Sequence, residues 1–291
     1  MSTPIHLFLY CVLILLASLV GGWIPIWVRL THRRMQLALS FVAGFMLGVG
    51  LLHLPMHALE YTESSPRVFG WMVVGILVMF FLERFFCFHH HDAPDSHQQG
   101  ESGPNQQGHA DPVHDHALTW SGAAVGLTLH SVLAGVALAA SVQSEQGAVW
   151  PGLAVFLVIF FHKPFDSMSL LTLMSAGGRT GSVRHLVNGL FALAIPIGVI
   201  IFFLGVPVAS GGTWGIGEAL AFAAGLFVCI ALSDLLPELH FHQHDRVKLS
   251  VALLAGLALA FAVSQLDSHE HEHEHHEEPA RHSTDDHGHD H

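Results

Sequence analysis

Charge is scarce in this chain. Asp, Glu, Lys and Arg together make up 12% of its 291 residues, against 51% hydrophobic, too thin a polar supply to clothe water-soluble domains of this length and one that fits a bundle solvated by lipid. Positive charge is scarcer still. Eleven Lys and Arg stand against 23 Asp and Glu, but the imbalance sits in two appendages: residues 267–291 hold nine acids and one base, and residues 89–116 hold five acids and no base. The body is close to neutral, so the charge balance gives no reason to expect nucleic acid as a partner. The three cysteines, Cys11, Cys87 and Cys229, lie in apolar runs and share no Cys-x-x-Cys spacing, so they read as packed thiols. There is no Gly-x-x-x-x-Gly-Lys to cradle a nucleotide, and none of the apolar runs contains the His-Glu-x-x-His of a zinc hydrolase. The first apolar run has no basic stretch ahead of it and no small-residue cleavage pattern after it, so it reads as a span and not as a removable signal.

What is present is a series of eight apolar runs near the ~20 residues a helix needs to cross a bilayer: 7–28, 37–57, 68–88, 118–142, 150–175, 185–205, 214–239 and 247–266. They are too continuous for the alternation of a barrel, and in lipid only helices and closed barrels satisfy their backbones. The fold class is therefore an all-α membrane protein with eight transmembrane helices, in contact with membrane lipid, and with both termini on one side. Arg29, Arg33, Arg34, Arg84, Arg179, Arg184, Arg246 and Lys248 all fall on one face, whereas the other receives Arg67 and Arg281. The excess of bases marks the cytoplasmic face. A multi-pass protein of the plasma or inner membrane follows, with both termini extracytoplasmic. Its plan is helices 1–3 in 1–88, a cytoplasmic loop 89–117, helices 4–8 in 118–266, and an extracytoplasmic tail 267–291.

Loop and tail are rich in histidine. His89, His90, His91, His97, His109, His114 and His116 stand among Asp, Gln and Gly, and from Ser268 the tail alternates His with Glu. Neither can build a core, so both are expected to be disordered without metal, and clustered imidazoles bind zinc, copper and nickel. Within the spans, Phe41-Val-Ala-Gly44 leading to Leu54-Pro55 in the second matches Phe222-Ala-Ala-Gly225 leading to Leu236-Pro237 in the seventh. Eight-span topology runs these two helices in opposite directions, as repeats related by inversion require; small apolar helices also match over this length by chance.

Ionisable groups at mid-membrane are costly and are functional candidates by default. Span four carries His130, and span five carries His162, Lys163 and Asp166 at a similar depth. His162 and Asp166 are four apart and share a helical face. With His130 from the neighbouring span they form an N,N,O set that zinc accepts while leaving coordination positions open, and incomplete coordination lets an ion leave. Pro164 cannot donate to the Phe160 carbonyl and is expected to kink the helix there. The bland alternative is two satisfied core histidines beside a Lys163–Asp166 pair. Toward the cytoplasmic end of span seven, Asp234 and Glu238 repeat the four-residue spacing, with His240 after them; His53 and His57 do so at the outer end of span two. These read as stations on an ion pathway, or as ordinary interfacial polarity. Glu83 beside Arg84 is expected to form a helix-end pair, and Glu218 to be a favourable acid at a helix N-terminus.

These residues resemble the Zrt/Irt-like (ZIP) family of metal transporters. His130-Ser-Val-Leu-Ala-Gly135 is similar to its His-Asn/Ser-x-x-(acid)-Gly motif, His162-Lys-Pro-Phe-Asp166 to its His-(acid/Lys)-x-x-(acid) motif, Asp234-Leu-Leu-Pro-Glu238 to its Asp-x-x-Pro-Glu, and His53-Leu-Pro to its span-two His-Leu-Leu-Pro. The resemblance implies uptake of zinc, or of iron, manganese or cadmium, into the cytoplasm. It also implies inverted three-helix repeats flanking helices four and five, no organic cofactor and a homodimer. It places His130, His162 and Asp166 in the first metal site, with Ser131 from the motif and Met46 of span two as further candidate ligands. Two positions depart from the pattern: Ala134 replaces a carboxylate that bridges two metals, and Lys163 replaces an acidic ligand of the second. A single ion is therefore expected.

Two other functions use the same residues. Cation diffusion facilitators, which export metal, also carry His-x-x-x-Asp in a membrane helix, but normally with six spans and a soluble C-terminal domain. An intramembrane hydrolase could activate water on a His/Asp-bound zinc, yet no general base stands beside the site other than Asp166 itself. The sequence thus favours a non-enzymatic carrier of divalent metal ions.

Overall fold

The computed structural model describes residues 3–27, 32–62, 64–86, 114–205, 215–241 and 246–271, with side chains at 3–24, 33–62, 64–86, 120–205, 215–233 and 246–265. Regular structure among them is helical: α1 (Thr3–Trp27), α2 (His32–Gly48), a π-helical turn (Val49–His53), α3 (Leu54–Tyr61), α4 (Ser65–Phe86), α5 (His114–Ser144), α6 (Leu153–Ala176), α7 (Gly181–Ala192), α8 (Ala194–Gly205), α9 (Ile216–Phe241) and α10 (Arg246–His271). Two spans are broken next to prolines. Pro55 has no N–H for the Leu51 carbonyl, and the π turn stands there; Pro196 has none for Ala192, and α7 gives way to α8 there. Taken as single spans, α2 to α3 and α7 to α8 complete a set of eight helical stretches long and apolar enough to cross a membrane. The all-α, eight-span expectation holds. Helices outrun the apolar runs at some ends, α5 starting at His114 and α10 reaching His271, because extending an existing helix adds a hydrogen bond for each residue fixed. Most of the 89–117 loop and the tail from 272 lie outside the described residues, as do the side chains of Asp234, Glu238 and His240.

The bundle is assembled from four closely packed helix pairs: α1 on α6, α2 on α10, α4 on α9, and α5 on α8. Lipid supplies no hydrophobic drive between helices, so close approach depends on small residues. A Cβ at Gly44 would run into the Leu253 carbonyl, and one at Gly256 into the Phe41 carbonyl. In the α4–α9 pair, Gly225 meets Met72 and Gly75 meets Phe222; in the α5–α8 pair, Gly135 meets Ile195 and Gly198 meets Val132. The α1–α6 pair sets Gly21 against the Pro164 backbone and joins Ser18 to Ser167 through a buried hydroxyl pair at 2.8 Å.

Helix ends sort onto two faces. On one, the His6 ring lies edge-on to Trp150, the Tyr61 hydroxyl donates to the Ser144 carbonyl at 2.8 Å, and Arg67 pairs with Glu218 at 2.8 Å. On the other, Arg179 lies over Trp120 and Ser233 donates to Glu83 at 3.0 Å. Glu218 is the N-terminal acid expected: its Oε2 also accepts the Gly215 N–H at 2.9 Å, at the start of α9. Glu83 turns toward α9, not along α4 to Arg84, because neighbours in a helix point about 100° apart and do not face each other.

Candidate functional site

α5 and α6 run antiparallel, and the deepest polar groups of the bundle collect where they meet. His130 and His162 are buried, and the Asp166 side chain is 17% exposed. The Asp166 Oδ2 lies 3.8 Å from Nε2 of His130 and 3.8 Å from Nε2 of His162, with the two rings 5.6 Å apart. The His162 Nδ1 lies 2.7 Å from the Val158 carbonyl. A carbonyl can only accept, so the hydrogen sits on Nδ1 and the lone pair is left on Nε2, aimed at the cluster. That nitrogen, the Asp166 Oδ2 and the His130 Nδ1 are buried without a hydrogen-bond partner. Buried polar atoms left bare are expensive; the His162 Nε2 and the Asp166 Oδ2 face each other at 3.8 Å, with the other ring nitrogen of His130, Nε2, equally near that oxygen, and this marks a place for a ligand. Donors on a tetrahedral zinc stand ~3.4 Å apart, so closing around an ion asks each 3.8 Å gap to shrink by roughly 0.4 Å.

Lys163 is wholly buried next to this cluster. Its ammonium donates to the Ser131 hydroxyl and lies 3.5 Å from the centre of the Phe191 ring, while Ser131 donates in turn to the Leu127 carbonyl at 2.7 Å. The bland pairing of Lys163 with Asp166 gives way to this arrangement with Ser131 and Phe191. Ala134 is buried one turn along α5. Met46 is fully buried in α2, within the apolar core.

A second cluster forms on the face that holds Tyr61 and Trp150. His53 ends the π turn and His57 follows one turn later, their rings 4.7 Å apart. The third member is Glu145, in the loop joining α5 to α6. Its Oε1 receives the Ser141 hydroxyl at 2.8 Å and lies 3.2 Å from the His53 Nε2, and its Oε2 accepts the Gly152 N–H at 2.7 Å. Gly152 has φ +75°, and a Cβ there would strike Val142, so only glycine brings that N–H to the carboxylate. Burial acts to raise the Glu145 pKa; the hydrogen bond and charge of His53, the charge of His57 and the Gly152 N–H outweigh it and hold the carboxyl below its ordinary value. His57 also lies 3.1 Å from Glu60 through its Nδ1.

Of the residues expected from sequence, the structure thus brings together His130, His162 and Asp166, and separately His53 and His57. Glu145 was missed. It is an acid just past the end of an apolar run, and the available signals were its i+4 spacing from Ser141 and the glycine seven residues on.

A family model described as "ZIP Zinc transporter" matches the chain over residues 5–121 and 87–264. Among curated relatives, zinc transporter ZIP9-B of Xenopus laevis is 26% identical over 283 residues, covering 80% of this chain and 87% of that protein. Zinc transporter ZIP2 of Mus musculus is 26% identical over 283 residues, with 78% and 87% covered. Zinc transporter ZIP9 of Macaca fascicularis is 34% identical over 131 residues, 42% of this chain and 54% of that one.

Proposed function

From the chain's membership of the ZIP zinc transporter family, and so from divalent metal transport, we propose that it carries zinc, and secondarily iron, manganese or cadmium, into the cytoplasm by alternating access through His130, His162 and Asp166. The observation that carries this reading is the meeting of His130, His162 and Asp166 from two antiparallel helices at 3.8 Å, with the His162 Nε2 and the Asp166 Oδ2 facing each other without hydrogen-bond partners. Two neutral imidazoles and one carboxylate suit zinc and its borderline neighbours. Three ligands leave positions for water, which keeps the ion exchangeable. Ser131 and Met46 are candidate additional ligands. With Ala134 in place of a bridging acid and an ammonium at Lys163, the site takes one ion.

His53 and His57 are assigned to the outer part of the path, Lys163 to its middle, and Asp234, Glu238 and His240 to its cytoplasmic exit. The bias of bases toward the face of Arg84 and Arg179 favours that face as cytoplasmic, putting both termini outside a plasma or inner membrane. We assign the bundle to inverted repeats of spans one to three and six to eight. Exchanging span one with six, two with seven, three with eight and four with five maps the four packed pairs onto one another. The Phe41–Gly44 and Phe222–Gly225 motifs then meet their partners alike, each lodging its glycine under a carbonyl and its phenylalanine carbonyl over the partner's glycine. A homodimer is part of this reading.

Export of the cation-diffusion type is disfavoured by the eight spans. An intramembrane hydrolase is disfavoured because the relatives are named as transporters. The deciding experiment is zinc flux into proteoliposomes and expressing cells for wild type, His130→Ala and Asp166→Ala. Loss of uptake in both, with the protein still at the membrane, is expected. Full uptake by both variants, or depletion of cytoplasmic zinc on expression of the wild type, refutes the assignment.

A further inference from the structure

Glu145 has no part in the mid-membrane site, yet it is a carboxylate 2% exposed, held by a hydroxyl and a backbone N–H and turned onto two histidines whose rings meet edge to face. One donor atom from each of His53, His57 and Glu145 falls within 4.8 Å of the others. We propose that these three residues form a second, separate binding site for a zinc-like divalent cation.

Three features carry the inference. The donor set is two imidazoles and one carboxylate, the same chemistry as the deep site and one that zinc and cadmium accept. The separation is already right: His53 Nε2 and Glu145 Oε1 stand 3.2 Å apart, against ~3.4 Å for two donors on one tetrahedral zinc, so binding needs the hydrogen between them to leave and little movement of the chain. The carboxylate is also pre-aimed. Ser141 and Gly152 fix both of its oxygens, the supporting hydrogen bonds that metal-ligating carboxylates use, while the π turn sets the angle of His53 and is a frequent mark of functional positions.

The site joins α3 and the π turn to the loop between α5 and α6, and those two helices carry the deep ligands. An ion there would tie span two to spans four and five. As an intake station it rests on the carrier reading above; as a binding site it does not.

The test is equilibrium dialysis of the full-length protein in detergent against radioactive cadmium at buffered free concentrations. Every variant keeps the histidine-rich loop and tail, so their binding cancels in the differences. Glu145→Gln should bind one ion fewer than wild type, or bind it at least about tenfold more weakly. His162→Ala should lose a different ion, and the double variant both. A Glu145→Gln protein that had merely misfolded would lose the deep ion as well, so that a further loss on adding His162→Ala separates a ligand from a strut. If Glu145→Gln does not yield monodisperse protein, His57→Asn takes its place. Binding by either outer variant that equals wild type in number and midpoint overturns the proposal, as does a double variant that loses no more than His162→Ala alone. Full uptake by both His130→Ala and Asp166→Ala would strike the carrier reading and leave this isotherm unchanged.

Discussion

The helix-pair geometry makes one prediction with opposite signs for a single chemical change. Replacing glycine by alanine inside a helix ordinarily stabilises it by about 0.5–1 kcal/mol. Gly70 in α4 and Gly189 in α7 have nothing within 4 Å of a built Cβ, so Gly70→Ala and Gly189→Ala should show that gain. At Gly75 and Gly256 the same methyl would meet the backbone carbonyls of Phe222 and Phe41, which cannot swing aside as a side chain can. Relief requires the helices to part. Overpacking of this kind costs about 1–3 kcal/mol, and parting also weakens Cα–H···O contacts worth about 0.5–1 kcal/mol each. After the propensity gain, each substitution should destabilise by roughly 1–2 kcal/mol. On the inverted-repeat reading the α4–α9 and α2–α10 contacts are counterparts, and the two losses should be equal. Equilibrium unfolding in mixed micelles, followed by tryptophan fluorescence, gives the four values. Stabilisation by Gly75→Ala or Gly256→Ala would refute the packing argument, and a large loss in one with none in the other would refute the repeat.

Other outcomes follow from single contacts. Arg67→Ala removes an ion pair whose arginine is 44% exposed; an exposed pair of this kind contributes at most about 1 kcal/mol, and Glu218 keeps its bond to Gly215, so stability should fall slightly and zinc uptake should stay within about twofold. Tyr61→Phe deletes the bond to the Ser144 carbonyl and should destabilise by about 1 kcal/mol in the same unfolding assay. On the carrier reading the transported ion is held by the bundle, so deleting 89–117 and 268–291 together should reduce metal flux in cells without abolishing it.

What was legible in the sequence was whatever depends on the cost of burying charge or on length in lipid. Eight apolar runs fix eight spans because the bilayer sets their length, and His130, His162 and Asp166 stand out because ionisable groups are costly at that depth. Glu145 did not stand out. At the end of a span an acid is unremarkable, and its significance comes from the loop that folds Gly152 back onto it and from a third helix bringing His53 across. Neither is a local property. The π turn was equally hidden, since Pro55 announces a missing donor but not how the backbone absorbs it. Glu83 shows the opposite error, in which adjacency along the chain suggested a partner that helical geometry points elsewhere.

The two clusters are too far apart to share an ion. Glu145 follows the last residue of α5 and stands fifteen positions after His130, about 22 Å at helical rise. Buried side chains without polar atoms stand along the stretch between: Ala134, Ala137 and Leu138 on α5, and Val155 and Ile159 on α6, are each no more than 1% exposed. An ion shed by its water cannot cross such a layer, because neither lone pair nor solvent meets it there. On the carrier reading, the layer is therefore the barrier that must open toward the face of Trp150, and Asp166, the most exposed member of the deep cluster at 17%, shows that the cluster is not sealed all round. The moving parts are then set by the pairing. α5 is clamped to α8 by Gly135 and Gly198, and α6 to α1 by Gly21, so α5 and α6 can separate only by carrying those partners with them. On the carrier reading, a reducible cross-link between cysteines placed in this layer on α5 and on α6, in an otherwise cysteine-free chain, should consequently stop flux while leaving the deep ion bound, and restoring flux with reductant would show that closure of this layer, not loss of a ligand, is what arrested it.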